Sequence, residues 1–387
     1  MSFSKKIIIT ATLVLLTAAF PLSSFSQVSH HPHPTADLIE RWDWAVQEAG
    51  KLKLNNGFWI GYSIKRLMWE HQYICSTDEH TITSSHFPNF LRGEPLEKIL
   101  SGKVTYTPLS DEEKVKLEAR RALDNLEDRG KPQQKVWKDV AILIKFSSSS
   151  SRIPETFRVS NLYLPFDPEG LPIFWLDKAE DAHSISILSD IYESKNSEKL
   201  KKRTLTVVGL HGTSDQAVSF FEKVLNSKEP DTLRAVAALE LGDQDHERAV
   251  KLLHQAAVKD HSSEVRRRSV YGLEDIELPS AADALIDIAQ NCKEGEIRKR
   301  AIDCLADIAS KKTAAALKDI AYKDGDTDIQ KRAVYALEDL PRSEGIPYLI
   351  DIAKTHHNLT VRKAAIYCLG DSDDYRALQA LIDIIKK

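Results

Sequence analysis

His71, Cys75, His80 and His86 fall within one short stretch. One thiol and three imidazoles form a set that can hold Zn2+ tetrahedrally, or pair a thiol with an imidazole for nucleophilic work. Their spacing matches no zinc-finger pattern, and no HExxH helix occurs anywhere in the chain. The set therefore reads as surface histidines beside a half-buried cysteine, with zinc or thiol chemistry as the alternative. A second histidine group, His30, His31 and His33, sits in "QVSHHPHP". If a new N-terminus were made after Gln27, Val28-Ser29-His30 would supply an amine, two amides and an imidazole, the donors of a square-planar copper or nickel site.

The remaining reactive side chains repeat. Arg267 and Tyr271, Lys331 and Tyr335, and Lys363 and Tyr367 are basic and aromatic residues four apart, hence on one face of a helix. Such pairs can grip an acidic or aromatic-rich partner by charge-assisted hydrogen bonds and stacking. Alternatively, each Tyr packs on the aliphatic stem of its basic neighbour.

Both readings require elements that bring the pairs into line, and the sequence supplies them. "VRRRSVYGLEDI" from Val265, "IRKRAIDCLADI" from Ile297, "IQKRAVYALEDL" from Ile329 and "VRKAAIYCLGDS" from Val361 are successive versions of one line. "LRAVAALELGDQ" from Leu233 and "LKKRTLTVVGLH" from Leu200 extend it to six copies, whose starts are evenly spaced to within one position. Apolar or small residues at offsets 0, 4, 5, 7 and 8 make one stripe of an amphipathic helix. A second stripe, through Phe220, Leu253, Leu285, Leu317, Leu349 and Leu381, keeps the same register. Each unit is thus a helical hairpin that cannot bury its apolar face alone, and stacking produces a continuous core.

Stacked repeats turn alignment columns into ladders. Offset 2 holds Lys202, Arg267, Lys299, Lys331 and Lys363, whereas the second repeat has Ala235 there and Leu239 in place of Tyr. A grip on this ladder is therefore expected to be strongest toward the C-terminus. Asp243, Asp275, Asp307, Asp339 and Asp371 form an acidic column at offset 10, expected to cap the helix that follows. On the second helices, Arg248, Lys251, His254, Asp287, Lys318, Asp351, Lys354 and Asp383 alternate in sign, which suits a mixed protein surface more than one polyanionic ligand. Cys304 and Cys368 share an inward column with Gly272 and Ala336 and read as buried thiols too far apart to bond.

These short hairpins resemble HEAT-like repeats, of the type also found in phycobilisome lyases, over residues 178–387. The resemblance implies an all-α solenoid of about six hairpins. It implies little about function, because the scaffold serves many roles. Helical-repeat di-iron hydroxylases carry several His-Glu pairs as ligands, and this chain has one, His246-Glu247.

The 387 residues divide further. Residues 1–26 have Lys5 and Lys6, an apolar run from Ile7 to Phe20 and a Ser-rich end, the pattern of a secretory signal cleaved before Gln27. The run is too short for a comfortable membrane span, so export is expected, to the periplasm or the medium, with no span in the mature protein. Residues 27–34 read as a flexible His-rich start. Residues 35–177 read as a small α+β domain: a helix over 35–53 with Leu38, Trp42, Ala45 and Val46 on one side, and a strand from Gly57. A helix over 110–128 and strands over 136–146, 157–164 and 172–176 follow, with the serine run from 147 as a hairpin loop.

Removing the signal takes away two lysines and no acid, which shifts the formal charge from −4 to −6. A net acidic surface excludes nucleic acid as the expected partner. No P-loop, nucleophile elbow or metalloprotease helix is present, and no cofactor is implied. The sequence thus predicts an exported, non-enzymatic scaffold for a protein partner, with a metal-binding or Cys/His-dependent enzyme centred on Cys75 as the alternative.

Overall fold

A computed structural model describes residues 28–70, 72–76, 81–84, 94–102, 134–194, 196–308 and 310–386. The expected signal, the expected helix over 110–128, and His71, His80 and His86 lie outside them.

The N-terminal part is a seven-stranded mixed sheet. Its order is β1 (Val28–His30), β9 (Ile173–Lys178), β2 (Phe58–Trp69), β6 (Lys135–Phe146), β7 (Thr156–Asn161), β3 (Tyr73–Ser76) and β4 (Thr81–Ser84). β9 runs parallel to both β1 and β2, and the remaining pairs are antiparallel. Side chains alternate across the pleat. Phe58, Ile60, Tyr62 and Ile64 therefore enter the main core, while Trp59 joins Leu143, Ile173 and Trp175 in a second, smaller one. That smaller core is closed by α2 (Leu96–Leu100) and by Phe166 of the β5 (Glu94–Pro95) and β8 (Pro165–Phe166) pair. The serine run lies in the loop joining the antiparallel strands β6 and β7, as expected of a hairpin loop.

Two expectations for this part fail. The His-rich start is not a loose tail: Val28 to His30 pair with Ile173 to Trp175, and the His31 ring packs edge-on against Trp44 at 5.1 Å. The helix α1 (Leu38–Lys51) buries Leu38, Ala45 and Ala49, as an amphipathic stripe should, but leaves Val46 43% exposed and buries Arg41 instead. Arg41 is satisfied because its guanidinium donates to the Leu176 and Lys178 carbonyls, tying α1 to β9.

After α3 (Asp181–Glu193) the described residues form six hairpins: α4 (Glu198–Gly209) with α5 (Asp215–Leu225), α6 (Asp231–Leu241) with α7 (Glu247–Lys259), and α8 (Ser263–Asp275) with α9 (Pro279–Asn291). The rest are α10 (Gly295–Ala306) with α11 (Lys311–Lys323), α12 (Thr327–Asp339) with α13 (Ile346–Thr355), and α14 (Leu359–Asp371) with α15 (Tyr375–Ile385). The stripe read from the repeated line is the buried one: Ile329, Ala333, Val334, Ala336 and Leu337 are all at most 4% exposed. One contiguous apolar core runs from Leu38 in α1 to Ala377 in α15, so sheet and array share it.

Polar groups pin that junction. His211 Nδ1 lies 3.1 Å from the Val208 carbonyl, and its Nε2 lies 2.7 Å from Ser184 Oγ, which is 2.8 Å from Tyr62 Oη. Ser184 Oγ–H donates to Tyr62 Oη. Burial holds the imidazole down at about 4, so it is neutral at neutral pH. Arg66 on β2 donates to the Gly209 carbonyl at the end of α4, and Arg203 on α4 donates to the Phe157 carbonyl on β7.

The acidic column does not cap. Among the described residues, the second helices are capped by Ser214, His246, Ser310 and Asp374, whose side chains accept from backbone amides one turn in. The column Asp residues end their own helices or lie just past them, too early in the turn to reach those amides. Asp243 is instead 3.5 Å from Arg66.

Candidate partner-binding face

On the first helices, the residue at offset 6 of one repeat meets the residue at offset 3 of the next. Tyr271 lies under the Arg300 guanidinium, 5.1 Å from ring centroid to carbon. Asp303 takes a two-pronged pair from Arg332, one prong of 2.6 Å. These rungs are closed. The next rung sets Ala364 above Tyr335, which is too short to cover it, so Tyr335 is 38% exposed. Tyr367, the equivalent residue of the following repeat, is 65% exposed. Its phenol is held above its ordinary value, chiefly by the Asp371 carboxylate.

The basic members are held only by local pairs. Arg267 pairs with Glu264, Lys299 with Glu296 at 2.9 Å and Lys331 with Asp328 at 3.2 Å, each a local pair one helical turn long. Exposed pairs of this kind hold their side chains weakly, at about 0.2–0.5 kcal/mol. Lys363 is exposed with Ala364 beside it. Of the six residues singled out, Arg267 and Tyr271 belong to a closed rung, while Lys331, Tyr335, Lys363 and Tyr367 share the open end. The tyrosines supply rigid amphipathic area, and the lysines supply charge that can change partners.

Where Ala235 and Leu239 interrupt the ladder, the missing bulk leaves a groove of about 440 Å3 across α4, α6 and α8. Val236 and Leu239 line it with Lys202, Thr206, Glu240 and Arg268. Glu240 Oε1 accepts from Thr206 at 2.8 Å, and its carboxyl lies against Gly209, where an added Cβ would be 2.5 Å from Oε2. Burial, then the charge of Asp243, pushes Glu240 up to about 7. The sign follows: a raised carboxyl favours folding fully below about 4.5 and loses that contribution as pH rises through about 7. Glu240→Gln keeps the hydrogen bond without the charge. It is expected to match wild type near pH 4 and to be about 1–2 kcal/mol more stable at pH 8. Urea unfolding at both pH values checks this, and equal stability at pH 8 refutes it. The opposing slope of His211 cancels in the comparison.

The alternating charges of the second helices face one another. His254 meets Asp287 at 2.7 Å, Lys318 meets Asp351 at 2.7 Å and Lys354 meets Asp383 at 3.7 Å, all between neighbouring repeats. Arg248 likewise meets Glu222 of the preceding repeat at 3.6 Å, so most of these charges are used within the face.

The thiols are core groups. Cys75 in β3 is 1% exposed, and burial pushes it up to about 11, so it is protonated at neutral pH. Cys304 and Cys368 are raised further, by burial and then by the carboxylates of Glu274 and Glu338 from the preceding repeats. All four cysteines are unbonded and buried. No described helix is long and apolar enough to cross a membrane.

Residues 218–306 and 314–387 match the family model of HEAT repeats. No curated protein sequence matches the chain. Among solved structures, it is similar to human deoxyhypusine hydroxylase, with 14% identity over 53% of this chain and 96% of that one, at a TM-score of 0.24. It is also similar to the CpcE–CpcF complex of phycocyanin lyase from Nostoc sp. PCC7120, with 16% identity over 52% and 87% of the two chains, at 0.31. A structure of Kap95p with RanGDP shares 15% identity over 54% of this chain and 34% of that one, at 0.36.

Proposed function

We propose that this HEAT-repeat array is an exported, non-enzymatic scaffold that holds a protein segment against the first helices of its last two repeats. The observation that carries the reading is the pair of open rungs at Tyr335 and Tyr367, whereas the equivalent Tyr271 and Asp303 are each covered by an Arg of the next repeat. Tyr, with flanking Lys331 and Lys363, suits a segment that offers carboxylates and apolar side chains. The sheet and α3 cover the other end of the array. Export rests on the basic, apolar and Ser-rich order of the stretch before Gln27.

The test is affinity capture from the extracytoplasmic fraction of the native host. The variant Lys331→Ala, Tyr335→Ala, Lys363→Ala, Tyr367→Ala is expected to weaken a captured partner at least about 30-fold, since two buried tyrosines are worth about 2 kcal/mol or more. The control Arg267→Ala, Tyr271→Ala alters a closed rung and is expected to retain it. A folded quadruple variant that binds as well as wild type removes this face from consideration. The mass of the same captured bait reports whether cleavage occurs before Gln27.

A further inference from the structure

The last helix carries an apolar stripe that its counterparts bury. Leu378 follows Ile346 and Ala314 at the repeat spacing, and those are 3% and 1% exposed, whereas Leu378 is 56% exposed. Ile385 follows Ala353, Ala321 and Ala289, none above 1%, and is itself 84% exposed. Tyr375 and Ile382, 73% and 36% exposed, complete the stripe at positions i, i+3, i+7 and i+10. On its other side α15 buries Ala377 and Ala380. A helix apolar on both sides is built to be covered on both sides.

We infer that this end face is a dimer interface, taking the same face of a second copy of the chain. It continues the interface by which each hairpin covers the one before it. The opposite end of the array is occupied, because α3 packs on α4 and α5, and β7 packs on α4. Among the described residues the other end of the array offers no matching helical face for head-to-tail stacking, which favours like meeting like about a two-fold axis. Charge supports that pairing. Two α15 helices laid antiparallel bring Asp373 at the start of one beside Lys386 at the end of the other, and oppose their dipoles, while Asp374 stays paired with Arg376 in its own chain. The stripe itself carries no charge.

Sedimentation of the full chain at micromolar concentration tests the pairing. Wild type is expected to be a dimer, and Leu378→Lys, Ile385→Lys to raise its dissociation constant at least about 30-fold. Both positions are exposed in the single chain, so the variant should keep the wild-type helical signal. Ile382→Cys, near the axis, is expected to cross-link to its own counterpart on oxidation. A monomeric wild type overturns the inference, as does a dimer that both substitutions leave intact.

Discussion

Arg234→Ala is expected to cost about 3–5 kcal/mol, because it strands a buried carboxylate. Arg234, 4% exposed at the start of α6, donates to Asp260 Oδ2 at 2.6 Å and to Asp231 at 2.7 Å. Asp260 closes α7, so one guanidinium ties the first turn of a hairpin's first helix to the last of its second. The carboxylate is 10% exposed and cannot recover its hydration when the arginine is removed. Lysine should not rescue, since a single ammonium cannot reproduce the fork. The double variant with Asp260→Ala should lose less than the two single losses summed, by at least about 1 kcal/mol. Chemical denaturation measures the total, and hydrogen exchange should place the loosening in α5 to α8, because repeats unfold in contiguous blocks. A loss below about 1 kcal/mol would show that the clamp is ornamental. The same device recurs two repeats on, where Arg298 meets Asp324.

Gly272→Val is expected to destabilise by about 3 kcal/mol, and Gly272→Ala by a smaller amount of the same sign. Helix propensity alone predicts the reverse for alanine, a gain of about 1 kcal/mol. Contact decides against it. α6 and α8 cross where two glycines meet, so that a Cβ on Gly242 would lie 2.6 Å from the Cα of Gly272. A Cβ on Gly272 would lie 2.7 Å from the Ala238 carbonyl oxygen and 3.1 Å from Leu253. The carbonyl belongs to a helix backbone and can yield only if the two repeats separate. Thermal unfolding of both variants gives the sign directly, and a more stable alanine variant would mean that the crossing is looser than this contact.

Much of the array was legible because its signal is local and repeated. The regular return of one line, with a stripe at offsets 0, 4, 5, 7 and 8, depends only on helix geometry, and α12 buries that stripe. The β-rich runs at 136–146 and 157–164 correspond to β6 and β7 for the same reason, with the second strand ending earlier at Asn161. Capping failed because its logic was local but its geometry was not. An Asp at offset 10 of the line looks like a cap, yet the turn that follows places Ser214, Ser310 and Asp374 at the amides.

What the sequence alone determined was the ladder: which residues repeat, on which helix face, and that basic and aromatic side chains alternate along it. Which rungs are open was decided by the tertiary structure. Tyr271 and Tyr335 are equivalent by period and differ in exposure because Arg300 covers one and Ala364 fails to cover the other. Likewise, nothing near His30 announces that it joins a strand, since its partner Trp175 comes from the far end of the sheet-forming part of the chain. Local patterns set helices and faces through backbone geometry. Exposure and pairing are properties of what arrives from elsewhere in the chain, and only packing brings those groups together.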